Sequence, residues 1–293
     1  MSHDITVVAD YGCQVAEGPI WHPDDEALYW IDVPAGSLFR YRPETDEHAH
    51  VFESDLIAGI TVEADGSLLL FEDGGVVRRL DTETWDATPV LDITEEADTR
   101  FNDVIADPAG RVFAGTMPTD RHPGRLYRLD PDGTYHRLID DLALPNGLGF
   151  TTERDALYLT ESKANRIRRY AYEETSGQLS DRTVFAEVDH GDGLPDGLAV
   201  DTTGHVWSAE WNGGQLVRYD DSGTVVEKVS CPAETVASLT FGGENYETAY
   251  VTTGLGYYER RSKAELGRAA GALLATDLGV EGRPQFRSRI TNR

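Results

Sequence analysis

The sequence predicts an all-β protein, a six-bladed β-propeller with four short strands in each blade, and three observations carry that prediction. The chain repeats itself six times at intervals of 40 to 49 residues. Within each repeat apolar and polar residues alternate with period two, and Gly, Asp and Asn fall between the alternating runs, where tight reversals need them. One repeat of this length fits one four-stranded sheet, which buries its faces only by stacking on neighbours around a ring.

The repeats are clearest in a strand, polar turn, strand unit: IWHPDDEALYW at 20–30, VEADGSLLLF at 62–71, IADPAGRVFAG at 105–115, FTTERDALYL at 150–159, VDTTGHVWSA at 200–209 and FGGENYETAYV at 241–251. Their second strands centre on Tyr29, Leu69, Phe113, Tyr158, Trp207 and Tyr250. A third strand follows in each, from GSLFRY at 36–41 to GALLATD at 271–277. After Ala272 the sixth repeat has fewer strands than its siblings, while Ile5 to Ala9 is an unassigned β-like segment, so the N-terminal strand is expected to complete the last blade and close the ring. Residues 1–293 are read as one propeller domain. The segment from Glu259 to Ala270, rich in charge and alanine, is expected to be a surface loop or a short helix.

Composition excludes several partners. With 26 basic against 52 acidic residues the net charge is −26, and only Lys163, Lys228 and Lys263 are lysines. Such a surface repels nucleic acid phosphate and anionic lipid, so neither nucleic acid nor membrane is expected as a partner. The acids are spread among aromatic and β-branched residues, which marks a folded protein with an acid-rich coat of the kind that molar salt screens. No charged-then-apolar leader and no long apolar run occurs, which predicts a cytoplasmic protein, with a monomer as the default. Cys13 and Cys231 stand far apart with no paired-cysteine motif, so both are expected to be free thiols.

Glu17, Asn102, Asn146 and Asp196 occupy one equivalent position, 11 or 12 residues before the aromatic residue of the following strand. In a propeller that position starts the strand lining the central channel, so all four should converge at one mouth. The corresponding positions in the other two blades, near Ala58 and Ser238, are small and leave room for a ligand. An all-oxygen set of carboxylates and amides suits one divalent metal cation, calcium, magnesium or manganese, with zinc less typical. Asp and Asn also cap strand starts and turns, but four at one repeat position favour a site.

These residues lie in the motifs Glu17-Gly18-Pro19-Ile20-Trp21, Arg100-Phe101-Asn102-Asp103, Gly115-Thr116-Met117, Pro145-Asn146-Gly147-Leu148 and Pro195-Asp196-Gly197-Leu198. In order and spacing the set resembles the sugar lactonases that include gluconolactonase and regucalcin, also called senescence marker protein. The resemblance implies that Glu17, Asn146 and Asp196 bind one divalent cation, that Arg100 and Asn102 contact the sugar lactone, and that Asp196 is the catalytic base. Where some relatives carry a substrate-binding glutamate, this chain has the shorter Asp120, in a loop from Pro118 to Pro123 that would tune ring size. The reading is a metal-dependent hydrolase of sugar lactones such as xylono-, arabino- or gluconolactone, in carbohydrate catabolism. The cation would draw charge from the lactone carbonyl while Asp196 orients or deprotonates the attacking water. The alternatives are a promiscuous esterase or organophosphate hydrolase, or a non-catalytic calcium-binding propeller.

No Gly-x-Ser-x-Gly elbow, Walker loop, dinucleotide-binding glycine turn or His-Glu-x-x-His helix competes with this reading. His22, His122, His136, His190 and His205 are scattered and are read as packing or solvent-exposed residues. Trp21, Trp30, Trp207 and Trp211 are read as blade core.

Overall fold

The computed structural model describes residues 3–189, 191–257 and 261–291. Its strands form six four-stranded antiparallel sheets. The innermost strands are Ala16–His22, Ile57–Val62, Phe101–Ala106, Pro145–Phe150, Leu194–Val200 and Val236–Gly242 for blades 1 to 6. Each packs on the next and the last packs on the first, so the ring is closed and blade 3 stands opposite blade 6. Blades 1 to 5 each use four consecutive strands. Blade 6 is completed on its outer edge by the N-terminal strand Thr6–Asp10, which pairs antiparallel with Ala272–Asp277. Both ends of the ring are thereby tied into one sheet, as expected from the missing strand.

Local chemistry repeats with the blades. In the hairpin after the inner strand of blade 5, Asp201 Oδ1 accepts the backbone N–H of Thr203 at 2.9 Å and of His205 at 3.1 Å, and Gly204 takes φ of +83°. Asp107 does the same in blade 3, accepting the N–H groups of Ala109 and Arg111 at 2.9 Å each. The turns therefore satisfy their own donors, and glycine supplies the left-handed residue they require. The residues that align the repeats, Tyr29, Leu69, Phe113, Tyr158, Trp207 and Tyr250, are all buried between sheets. Removing a large apolar side chain from water contributes about 1.5–3 kcal/mol, and here the gain recurs around the ring.

The two mouths of the channel differ. Residues 281–291 cross the far mouth: Glu281 O accepts from Thr202 N–H at 2.9 Å, Gln285 Nε2 donates to Thr240 Oγ1 at 3.1 Å, Ser288 N–H donates to Val62 O at 2.9 Å and Arg289 N–H to Gly110 O at 2.9 Å. Access to the channel is thus from the other side, where the inner strands begin. Cys13 and Cys231 are free thiols. Lys263–Leu266 is a single helical turn with a Ser262/Glu265 capping box, and Leu266, Ala269 and Ala270 behind it are buried, so this part of the segment is more than surface. Glu259 of that segment, and His190, lie outside the described residues. Among the described residues no helix is long and apolar enough to cross a membrane.

Candidate metal and substrate site

Every inner strand breaks register near its start. The irregularity falls between Glu17 and Ile20, Ile57 and Gly59, Phe101 and Val104, Pro145 and Leu148, Pro195 and Leu198, and Val236 and Ser238. A bulge takes one residue out of the ladder and re-aims its side chain. Ala58, Asn102, Asn146, Asp196 and Ala237 are so displaced, whereas Glu17 stays in the ladder opposite Ile31 just before its irregularity; Ser238 follows Ala237 and is paired with Thr252. The next residue packs against the neighbouring strand: a Cβ on Gly197 would lie 2.1 Å from Ser238 Oγ. Glycine is needed there for close approach.

A cavity of about 490 Å³ opens at this mouth. Glu17, Asn146 and Asp196 line it together with Arg100, Asn102 and Asp103. Of the residues expected in the site, Asp120 is the exception: it is exposed and does not line the cavity, because Met117, just before its loop, is the last residue there to face inward. Trp21, Trp30 and Trp207 are core residues, whereas Trp211 departs from that expectation and lines the cavity. No described histidine does so.

The polar groups are held in a chain that crosses blades. Asn146 Nδ2 donates to Asp196 Oδ1 and, at 3.3 Å, to Ser162 Oγ. Among the described residues Glu17 Oε2 accepts only the Gly18 N–H, at 3.0 Å. Asn102 Oδ1 accepts from Arg100 Nη1 at 2.8 Å, and its Nδ2 donates to Pro145 O at 2.9 Å, beside Asn146. The amide thus ties blade 3 to blade 4 and keeps the second lone pair of Oδ1 for a ligand. Arg100 also donates to Phe101 O at 2.8 Å and to Tyr257 Oη at 3.3 Å.

Three carboxylates at one floor repel each other. Burial, then the charge of Asp103, pushes Glu17 up to about 8 against the pull of the Gly18 N–H and Arg100. Its remaining exposure is to the cavity. Burial also raises Asp103 to about 6, opposed by the backbone N–H groups of Val104 and Leu148. Asp196 is raised well above the usual carboxylate range by burial first, then by Glu17, Asp103 and Glu210, with Arg100 opposing. Behind Asp196, Glu210 is buried with neither oxygen hydrogen-bonded among the described residues, and burial lifts it to about 8. The Ser208 hydroxyl is close enough to oppose that shift without meeting hydrogen-bond geometry.

A divalent cation fits this donor set. Asp196 is buried and Glu17 half-buried, each short of donors, Asn146 adds a carboxamide, and one Arg100 does not balance the floor; positive charge would ionise both acids and relieve their repulsion. Repeat alignment missed Asp103, which stands where blades 1, 2, 4 and 5 carry Gly18, Gly59, Gly147 and Gly197. Blade 6 has Ser238 there, so Asp103 is the one carboxylate at a position otherwise held by glycine or serine, and that was its signal. Tyr257, Lys163 and Arg261 also line the cavity and left no such trace, because each lies outside the blade strands; Trp211, the last residue of the strand Val206–Trp211, lines it too.

Residues 15–254 match the family described as SMP-30/gluconolactonase/LRE-like region. The chain belongs to this family. Among similar members is a pentonolactonase of Haloferax volcanii, 47% identical over 290 residues that cover 98% of each chain. Regucalcin of Danio rerio is 31% identical, covering 93% of this chain and 94% of its own. The solved structure of a calcium-binding regucalcin from Agrobacterium tumefaciens superposes with a TM-score of 0.90 at 21% identity, over 99% of this chain and 98% of that one, which establishes the shared propeller.

Proposed function

We propose that the protein is a sugar-lactone hydrolase that uses a divalent cation held by Glu17, Asn146 and Asp196. The observation that carries this reading is the convergence of those oxygen donors, from blades 1, 4 and 5, beside the Arg100 guanidinium on one cavity floor. A cation bound there supplies Lewis-acid polarisation of the lactone carbonyl, worth several kcal/mol of transition-state stabilisation. Arg100 binds and orients the lactone through charge-assisted hydrogen bonds, with Asn102 fixing the guanidinium and offering Oδ1 to a hydroxyl. Asp196 orients the attacking water and accepts its proton. The water oxygen bonds to the carbonyl carbon, the ring C–O bond breaks, the ring oxygen takes a proton as the new hydroxyl, and the carboxylic acid product releases one proton to solvent. Val15, Val33, Leu144, Leu194 and Trp211 add apolar surface to the lining of the same cavity.

Pentonolactones are the favoured substrates, since the pentonolactonase of Haloferax volcanii is similar over nearly the whole chain. Gluconolactone, with one more hydroxymethyl group, is the nearest competitor. The acid-rich coat supports a salt-adapted cytoplasmic protein, acting as a monomer without nucleic acid or membrane. Proton release from xylono-, arabino- and gluconolactone in molar salt tests the reading, measured after chelation and after return of calcium, magnesium, manganese or zinc. Hydrolysis above the spontaneous rate that chelation abolishes and one cation restores is expected. No acceleration with any lactone or cation, alongside cleavage of simple aryl or phosphorus esters, would turn the assignment to those esters.

A further inference from the structure

Arg100 and Tyr257 meet from opposite sides of the ring. Arg100 opens the inner strand of blade 3, and Tyr257 follows the second strand of blade 6, Thr248–Thr253. The phenol oxygen accepts from Arg100 Nε at 3.3 Å, and the guanidinium carbon stands 5.2 Å from the centroid of the tyrosine ring. Tyr257 is fixed in turn, since Gln14 Nε2 donates to its carbonyl at 2.5 Å and the Gly256 N–H donates to Gln14 O at 3.1 Å. Gln14 leads directly into blade 1 and Glu17, so the contact joins the cation-facing strand, the last blade and the arginine across the mouth.

The environment of Arg100 makes this contact matter. It has no carboxylate ion-pair partner among the described residues, although three carboxylates share its cavity. Nη1 is committed to Phe101 O and Asn102 Oδ1, and Nε to Tyr257, while Nη2 has no hydrogen bond among the described residues. A free arginine side chain samples many rotamers and loses that freedom on binding a ligand. An aromatic face holds the cation without neutralising it, which a carboxylate would do.

We infer that Tyr257 is a positioning residue for lactone binding: its ring face, with the long hydroxyl contact as the lesser part, holds the Arg100 guanidinium over the site from the opposite blade and keeps Nη2 for the substrate. The inference rests on the lactonase reading above. A double-mutant cycle on cation-saturated protein in molar salt tests it, with Tyr257→Leu, Tyr257→Phe, Arg100→Ala and the Arg100→Ala/Tyr257→Leu pair. Tyr257→Leu is expected to raise KM about fivefold or more with a smaller change in kcat, while Tyr257→Phe, which keeps the ring, stays within about threefold of wild type. In the Arg100→Ala background, Tyr257→Leu should add less than about twofold, because the group it positions is gone. Cation affinity, measured by calorimetry, should match wild type in every variant. Equal effects of Tyr257→Leu in both backgrounds, no effect in either, or loss of cation binding would each overturn the inference while leaving the lactonase reading intact. A wild-type protein inactive on every lactone would overturn both.

Discussion

Asp196 sits where burial and the charges of Glu17 and Asp103 oppose its ionisation, and where Asn146 is its hydrogen-bond donor. Asp196→Asn keeps shape and removes charge. It is expected to leave circular dichroism in molar salt unchanged and to lower kcat by about 10²- to 10⁴-fold, the range spanned by a positioned general base. Near-normal turnover would take Asp196 out of the chemistry. Arg100→Ala should instead raise KM, with the cation still bound; loss of the cation would make Arg100 part of the scaffold. The position of Asp196 was legible because the repeat marks it, whereas Arg100 was indicated only by the family resemblance. Asp120 was not, because a loop residue has no repeat position to fix its direction, and the structure leaves it exposed.

The inner strand is the element that makes a site from a repeat. Its bulge aims one side chain at the mouth, and the glycine after it lets adjacent strands touch. Gly197→Ala would drive a methyl group into Ser238, and is expected to cost about 1–3 kcal/mol of stability and to lower turnover by shifting Asp196. Denaturant melts and rate measurements on the same variant check both. The second strands carry a related series of buried acids, and most of them are satisfied. Asp32 accepts the N–H groups of Gln14 and Val15 at 2.9 and 2.8 Å, and Glu161 takes Arg166 and Arg168 at 2.7 Å each. Glu210 is the exception. Its pKa rises from an ordinary 4.5 to about 8, so between those values the folded protein keeps a proton that the unfolded chain has released. The carboxyl therefore costs nothing below about pH 4.5 and destabilises progressively as pH rises toward 8. Glu210→Gln should flatten the fall in stability across that window and add on the order of 1 kcal/mol at pH 8. An unchanged pH slope in thermal melts would refute this.

The ring as a whole lives with a net charge of −26. Like charges on a closed surface repel within a screening length of about 10 Å at 0.1 M salt and about 3 Å at 1 M. Dilution from molar to 0.1 M salt is therefore expected to lower the melting temperature by several degrees or more. A melting temperature indifferent to salt would remove the salt-adapted reading. Ring closure adds its own constraint, because blade 6 is completed by Thr6–Asp10. Its stability is shared between the two ends of the chain, so damage to either should loosen the blade that carries Tyr257.

The blade count, the four-stranded period, the closing N-terminal strand and the inward row of Glu17, Asn102, Asn146 and Asp196 all follow from alternation and repetition along the chain. Both are local properties, and a ring multiplies a local pattern six times. The contacts between blades follow no such pattern. That Trp211 leaves the core for the cavity, that Glu210 finds no donor among the described residues and that Tyr257 meets Arg100 from the far side depend on which residues face one another once the ring has closed. Such pairings are set by distances between residues remote in sequence, Arg100 and Tyr257 among them, and no periodicity records them.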